Sequence, residues 1–183
     1  VEPQRILEIA RHINSGDREA FAFIVEEYQH FVYNFSLRLT GNRDSAYDLA
    51  SEVFLRVFQQ LSKYRPDYPF KSWLGRVTYT TGLNFLRKRR GEIQLDALTD
   101  DVPFEVRDDS HLPEEIVLDE ATKKEIQVAI MKLKTDFRAI IILCDIEEVS
   151  YEDTANILGI PMGTVRSRLS RARDALRKIL NGT

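Results

Sequence analysis

Residues 150–177 read SYEDTANILGIPMGTVRSRLSRARDALR. Ser150, with Glu152 and Asp153 just behind it, has the chemistry of a helix start: a hydroxyl to cap free N–H groups and carboxylates beside the positive end of the dipole. Ala155, Ile157 and Leu158 continue that helix to Gly159, and Gly159-Ile160-Pro161 makes a short turn. Beyond it Val165, Leu169, Ala172, Leu176 and Ile179 recur every three or four residues and form one inward stripe. A short capped helix, a tight turn and a longer second helix predict a helix-turn-helix. Pro161 suits the first turn of the second helix, where its missing N–H costs nothing. The free N–H groups there also favour a phosphate. Away from the apolar stripe stand Thr164, Arg166, Ser167, Arg168, Arg171, Arg173 and Arg177. The planar fork of arginine bonds phosphates or the acceptor edge of guanine in pairs, so this face points to DNA. The same spacing also fits a helical hairpin with a solvated basic face.

Working outward, the remaining patterns are helical too. Phe21, Ile24, Tyr28, Phe31, Phe35 and Leu39 share one face of a helix over 17–39, and Gly41-Asn42 stops it. Ala46, Leu49, Ala50, Val53, Phe54, Val57, Phe58 and Leu61 make an unbroken stripe, with Leu55 left apolar on the wrong side. A loop with Pro66, Asp67 and Pro69 follows, then a helix from Ser72 to the Arg87–Arg90 run before Gly91. Thr78, Thr80, Thr81 and Gly82 weaken its propensity, so packing or a partner must support it. Further helices are expected over 114–133 and 136–146. No strand pattern is present, and the fold class is all-α: a small helical bundle and a helix-turn-helix domain.

Between them charge changes sharply. Residues 1–91 carry 14 basic and 10 acidic side chains, residues 92–120 carry one and 11, and residues 121–183 carry 11 and 8. Two mildly basic bodies are thus joined by an acidic segment without sustained period, a flexible linker over 92–112 that could stretch to roughly 70 Å. The chain's single cysteine, Cys144, excludes an internal disulfide framework, and three histidines leave little for metal chemistry. Glu27 and His30 have the Glu-x-x-His spacing of a di-iron helix, but no second copy exists. There is no Gly-rich phosphate loop and no nucleophile elbow. No segment reads as a membrane span or signal peptide. These observations predict a reduced, cytoplasmic protein without membrane insertion, metal or cofactor, and not an enzyme.

Two more surfaces bear on function. Between Lys63 and Arg90, Tyr64, Tyr68, Phe70, Trp73, Tyr79 and Phe85 alternate with Lys63, Arg65, Lys71 and Arg76, a mixture suited to unpaired nucleic acid, where bases stack and phosphates are neutralised. For Phe70 and Trp73 a place in the packed core is the better fit. On the 45–61 helix, Asp48, Glu52, Arg56 and Gln59 surround the surplus Leu55, which reads as a protein-binding patch or an ordinary charged surface.

Taken in order, Asp48-Leu49-Ala50-Ser51-Glu52-Val53-Phe54-Leu55-Arg56-Val57-Phe58, Phe70-Lys71-Ser72-Trp73-Leu74-Gly75-Arg76-Val77 and Gly163-Thr164-Val165-Arg166-Ser167-Arg168-Leu169-Ser170-Arg171-Ala172-Arg173 resemble the extracytoplasmic-function sigma factors of bacterial RNA polymerase. The resemblance implies a region 2 domain over 1–91, the linker over 92–112 and a region 4 domain over 113–183. It implies polymerase binding through Asp48, Ser51, Glu52, Leu55 and Arg56. It implies reading and melting of the minus-ten promoter element by Lys63, Tyr64, Phe70, Lys71, Ser72, Trp73, Arg76, Thr80, Asn84, Arg87 and Lys88. The minus-thirty-five element falls to Pro161, Thr164, Arg166, Ser167, Arg168, Arg171 and Arg173. The implied partners are core RNA polymerase, promoter DNA as duplex and melted strand, and an anti-sigma factor. Ser51 stands where the family usually has Gln, and Thr80 and Asn84 stand where Asn and Asp are common. The long C-terminal extension of some subgroups is not seen. A polymerase-independent helix-turn-helix regulator and a helical adaptor whose basic face docks acidic proteins are the competing readings; the first leaves the acidic linker and the aromatic and basic loop unexplained.

Overall fold

The computed structural model describes residues 3–14, 17–96 and 120–182, and every regular element among them is helical. In chain order these are α1 (Pro3–Asn14), α2 (Ala22–Thr40), α3 (Arg43–Gln60), α4 (Phe70–Asp96), α5 (Glu120–Lys132), α6 (Thr135–Ile141), α7 (Tyr151–Leu158) and α8 (Met162–Leu180). Short 3-10 turns, Glu19–Phe21 and Leu61–Lys63, lead into α2 and out of α3, and a π-helical turn, Ile142–Ile146, follows α6.

The all-α expectation holds, with differences at the ends of elements. α1 carries Ile6, Ile9 and Ala10 into the core, and the sequence pattern did not point to it. α4 starts at Phe70 and passes the expected stop at Gly91 to reach Asp96. One glycine costs a helix only about 1 kcal/mol, and Glu92, Gln94 and Leu95 are good helix formers. Residues 92–96 of the expected linker are therefore helical, and residues 97–112 lie outside the described residues. The helix expected over 136–146 is α-helical only to Ile141. It then widens, with the Glu147 N–H donating to Ile142 O at 2.9 Å. The chain leaves this turn through Glu148 at φ 51°, a left-handed conformation uncommon outside glycine.

α2, α3 and α4 pack as a bundle. Gly41 ends α2 in the left-handed region at φ 71°, and its N–H donates to Leu37 O at 2.7 Å. Asn42 then caps α3 by accepting the Ser45 N–H at 3.0 Å. Gly82 supplies the support that α4's weak propensity demands: a Cβ there would collide with Leu39 Cδ2, so α2 and α4 approach closely. In the second half, Ser150 caps α7 as its sequence predicts, accepting the Asp153 N–H at 3.0 Å. Pro161 is the N-cap of α8 at ψ 146°, one position earlier than the first-turn place expected for it.

The two halves are packed together. Phe31, Phe35, Leu39, Phe70 and Leu74 share one core with Ala139, Ile142, Leu143 and Ile157 of the second half. A smaller core holds α5, α6 and α8 through Leu133, Ile140, Ile141, Val165, Leu169 and Ala172. α7 lies on α4, where Gly75 makes room for Ile157; a Cβ at Gly75 would stand 2.9 Å from Ile157 Cδ1. Arg138 of α6 is buried between the halves. Its guanidinium donates to Leu39 O of α2 at 2.6 Å and, at the end of α5, to Met131 O at 2.5 Å and Leu133 O at 3.2 Å. One cation thus satisfies carbonyls at the C-terminal ends of two helices, each of which carries partial negative charge.

Candidate nucleic-acid and polymerase interfaces

The outward face of α8 follows from its inward stripe. With Val165, Leu169 and Ala172 buried, Arg166, Ser167, Arg171 and Arg173 are exposed and Thr164 and Arg168 half-buried. Arg171 Nε donates back to Ser167 O at 3.2 Å. Arg173 is gripped in two places by Asp145, at 3.1 Å from Nε and 2.6 Å from Nη2. That pairing raises its already high pKa further. Arg168 lies 3.5 Å from Asp136 of α6. The seven residues expected to read duplex DNA therefore divide. Arg166, Ser167 and Arg171 face outward, while Arg168 and Arg173 are held by acids flanking α8. A groove of about 290 Å³ along this face is lined by Tyr151, Arg166, Leu169, Ser170, Arg173, Asp174 and Arg177.

On α4, Arg76, Thr80, Asn84, Arg87 and Lys88 are all exposed at helical spacing, whereas Val77, Thr78, Tyr79, Thr81 and Gly82 are buried. The row is ordered by short bonds: Thr80 Oγ1 donates to Arg76 O at 2.9 Å and Arg87 Nη1 to Asn84 Oδ1 at 3.4 Å. The other minus-ten residues lie elsewhere. Tyr64 and Phe70 are buried, their rings edge to face with centroids 5.2 Å apart, and half-buried Trp73 tilts over both. The Tyr64 hydroxyl donates to Tyr68 O at 2.9 Å and so braces the loop. Lys63 is exposed at the end of the 3-10 turn, and exposed Lys71 lies 5.0 Å from the centre of the Phe31 ring. Ser72 is buried and donates to Asp153 Oδ1 of α7 at 2.5 Å. Tyr68, one of the aromatic residues between Lys63 and Arg90 but outside the minus-ten set that the resemblance implies, is 56% exposed on the braced loop. Its place among Pro66, Asp67 and Pro69 was the available signal, since an aromatic ring on a turn has no stripe to join.

On α3, Leu55 is 57% exposed, as its position off the stripe predicted. Asp48 and Ser51 are exposed beside it, and Glu52 Oε1 accepts from Arg56 Nη2 at 2.6 Å. Tyr47, which pattern reasoning overlooked, is 62% exposed and its ring leans on Tyr33 at 4.8 Å. Tyr47, Ser51 and Leu55 stand four residues apart on one face. Asp48, Glu52 and Arg56 also line a groove of about 520 Å³ whose far wall includes Asn84 and Lys88 of α4. The α3 and α4 surfaces are therefore neighbours.

A helix-turn-helix with an arginine face, joined to a bundle that presents a second cationic helix, has the surface chemistry of a two-module nucleic-acid-binding protein. Residues 24–92 match the Sigma-70 region 2 family model and residues 123–176 the Sigma-70, region 4 model. The chain is 40% identical over 169 residues to the ECF RNA polymerase sigma factor SigE of Mycolicibacterium smegmatis, covering 91% of this chain and 65% of that protein. It thus spans a little under two thirds of that relative's length. It is 34% identical to the sigma factor SigW of Bacillus subtilis, covering 93% of this chain and 94% of SigW. Among solved structures it resembles the sigma factor RpoE of Bartonella quintana in complex with the anti-sigma factor NepR, with a TM-score of 0.73, 26% identity, and 88% and 96% of the two chains covered. The fold is shared with CnrH in complex with the cytosolic domain of CnrY, at a TM-score of 0.68, 20% identity, and 99% and 97% coverage. The chain belongs to the extracytoplasmic-function sigma factors of bacterial RNA polymerase, a family that is not one of enzymes. Among the described residues no helix is long and apolar enough to cross a membrane.

Proposed function

We propose that promoter recognition is divided between the two halves of the chain. Residues 1–91 dock on core polymerase through Asp48, Ser51, Glu52, Leu55 and Arg56, with Tyr47 extending the patch. The outward row of α4 reads the minus-ten element. Residues 113–183 read the minus-thirty-five element in the major groove through α8, led by Arg166, Ser167 and Arg171. Tyr68 joins the minus-ten set as a ring on which an unpaired base stacks. Lys63 and Lys71 supply charge to the melted strand. The acidic residues between the halves occupy a basic channel of polymerase. The chain works in the cytoplasm, carries out no catalytic step of its own, and is held inactive by an anti-sigma factor.

The observation that carries this reading is the exposed row of Arg76, Thr80, Asn84 and Arg87 on α4, which leaves a cationic face pointing outward from a helix whose other side is core. Transcription with core polymerase on fragments of genomic DNA tests it. The chain is expected to start transcripts at defined sites only when core enzyme is present. Leu55→Asp is expected to weaken core binding tenfold or more, yet to change folding stability by no more than about 0.5 kcal/mol, as for an exposed site. Tight duplex binding without polymerase, together with unchanged core affinity in Leu55→Asp, would reject the assignment.

A further inference from the structure

We propose that Met162 is a base-reading residue of α8, selecting a thymine in the minus-thirty-five element by the C5 methyl group of that base. The proposal rests on the assignment of α8 to that element made above. Met162 is 45% exposed, a long apolar side chain standing out in water. A single such residue on a surface is ordinary, and its place is what gives it meaning. It opens α8 immediately after Pro161. The N-terminal residues of the second helix of a helix-turn-helix are those that meet base edges in the major groove.

The first turn of α8 has no other side chain for the task. Pro161 and Gly163 are exposed and carry no polar side chain, and Thr164 is half-buried. A Cβ built on Gly163 would meet nothing within 4 Å, so a duplex can approach this end of the helix closely. The Thr164 and Val165 N–H groups already donate to Pro161 O, at 2.8 and 3.1 Å. Side chains able to hydrogen-bond a base begin a turn later, with exposed Arg166 and Ser167. What the first turn offers a base pair is thus an apolar surface.

On the major-groove edge the thymine methyl is the one apolar group; the other bases present only donors and acceptors there. Met162 laid against the amino group of adenine or cytosine would strip water from a donor and give it no partner. Its flexible thioether fits over a methyl without the fixed placement that a hydrogen bond needs. Met162 and Arg166 are four residues apart and neighbours on one face. One helical turn rises about 5.4 Å, against about 3.4 Å per base pair, which puts the thymine within about two base pairs of the base that Arg166 reads.

The test uses the full chain bound to core RNA polymerase and a pool of duplex promoters randomised over the minus-thirty-five region. Sequences retained by this holoenzyme are selected, and each thymine on either strand is then replaced singly by uracil, which deletes the methyl and keeps every hydrogen-bonding group. The same selection with Arg166→Ala marks the base pair that Arg166 reads. At one thymine within about two base pairs of it, uracil is expected to weaken wild-type binding about fourfold, as for the loss of one buried methyl. Met162→Ala is expected to lose a like factor on the thymine duplex and to bind thymine and uracil duplexes alike, whereas Met162→Leu keeps the preference. Met162 lies off the buried stripe of α8, so both variants retain the fold. Wild-type indifference to every uracil replacement overturns the proposal, and so does an undiminished uracil penalty in Met162→Ala. A selected element with no thymine near the Arg166 position overturns it as well. In these three cases α8 remains the minus-thirty-five reader as long as Arg166→Ala relaxes the selected sequence. If Arg166→Ala and Arg171→Ala both leave that sequence unchanged, the α8 assignment itself falls and the role of Met162 falls with it.

Discussion

Glu147 lies just beyond the π-helical turn, and its charge is felt by Arg38 of α2 and Lys71 of α4, both in the other half of the molecule. Burial pushes its carboxyl above the usual carboxylate range, and the two cations pull it only part of the way back. Arg38 is itself lowered by burial. A carboxyl whose folded pKa is raised binds its proton more tightly in the folded chain. Its stabilising contribution is complete below the unfolded value of about 4.3 and is lost as pH rises through the raised folded value. Wild type is therefore expected to gain unfolding free energy relative to Glu147→Gln as pH falls from about 7 to about 5, in paired urea titrations. A constant difference between the two would show that the carboxyl is not desolvated. The sequence held no sign of this group's burial, since Glu147-Glu148 reads as surface. Leu55 was legible for the opposite reason: an apolar residue off a complete stripe has nowhere to go but out.

Among the elements, α7 and α8 were the most legible, because their caps and stripes are local chemistry. Ser150 and Gly159 sit where their side chains, or lack of one, dictate. α4 was less so. Its start and outward row followed from spacing, but Gly91 does not stop it, and Gly82 marks a close approach to Leu39 where a weak point was read. The π-helical turn has no sequence signature of its own, since Ile140 to Leu143 suit an α-helix equally. For α8, arginines pinned by acids contribute differently from those facing water. Arg166→Ala and Arg171→Ala are each expected to weaken duplex binding and to lower the salt dependence by about one counterion. Arg173→Ala is expected to change both less, because Asp145 already occupies its fork. Equal salt slopes for all three variants would mean that Asp145 releases Arg173 on DNA.

At the level of the molecule, the sequence described two bodies held apart, and the structure packs them on one core. The contact between residues 72 and 153 leaves no periodic trace, so only the folded arrangement reveals it. A shared core predicts shared unfolding: calorimetric and van't Hoff enthalpies should agree in one transition. Arg138→Met removes the cation that joins Leu39 O to the end of α5 and is expected to cost about 3 kcal/mol, broadening or splitting the transition. A single sharp transition at unchanged temperature in that variant would show that the carbonyls find other partners. The chain's one tryptophan, Trp73, rests half-buried on Tyr64 and Phe70, one position from Ser72 and two from Gly75. Nature has thereby set an intrinsic lamp beside the seam, and its colour and brightness give a dye-free optical record of docking and release.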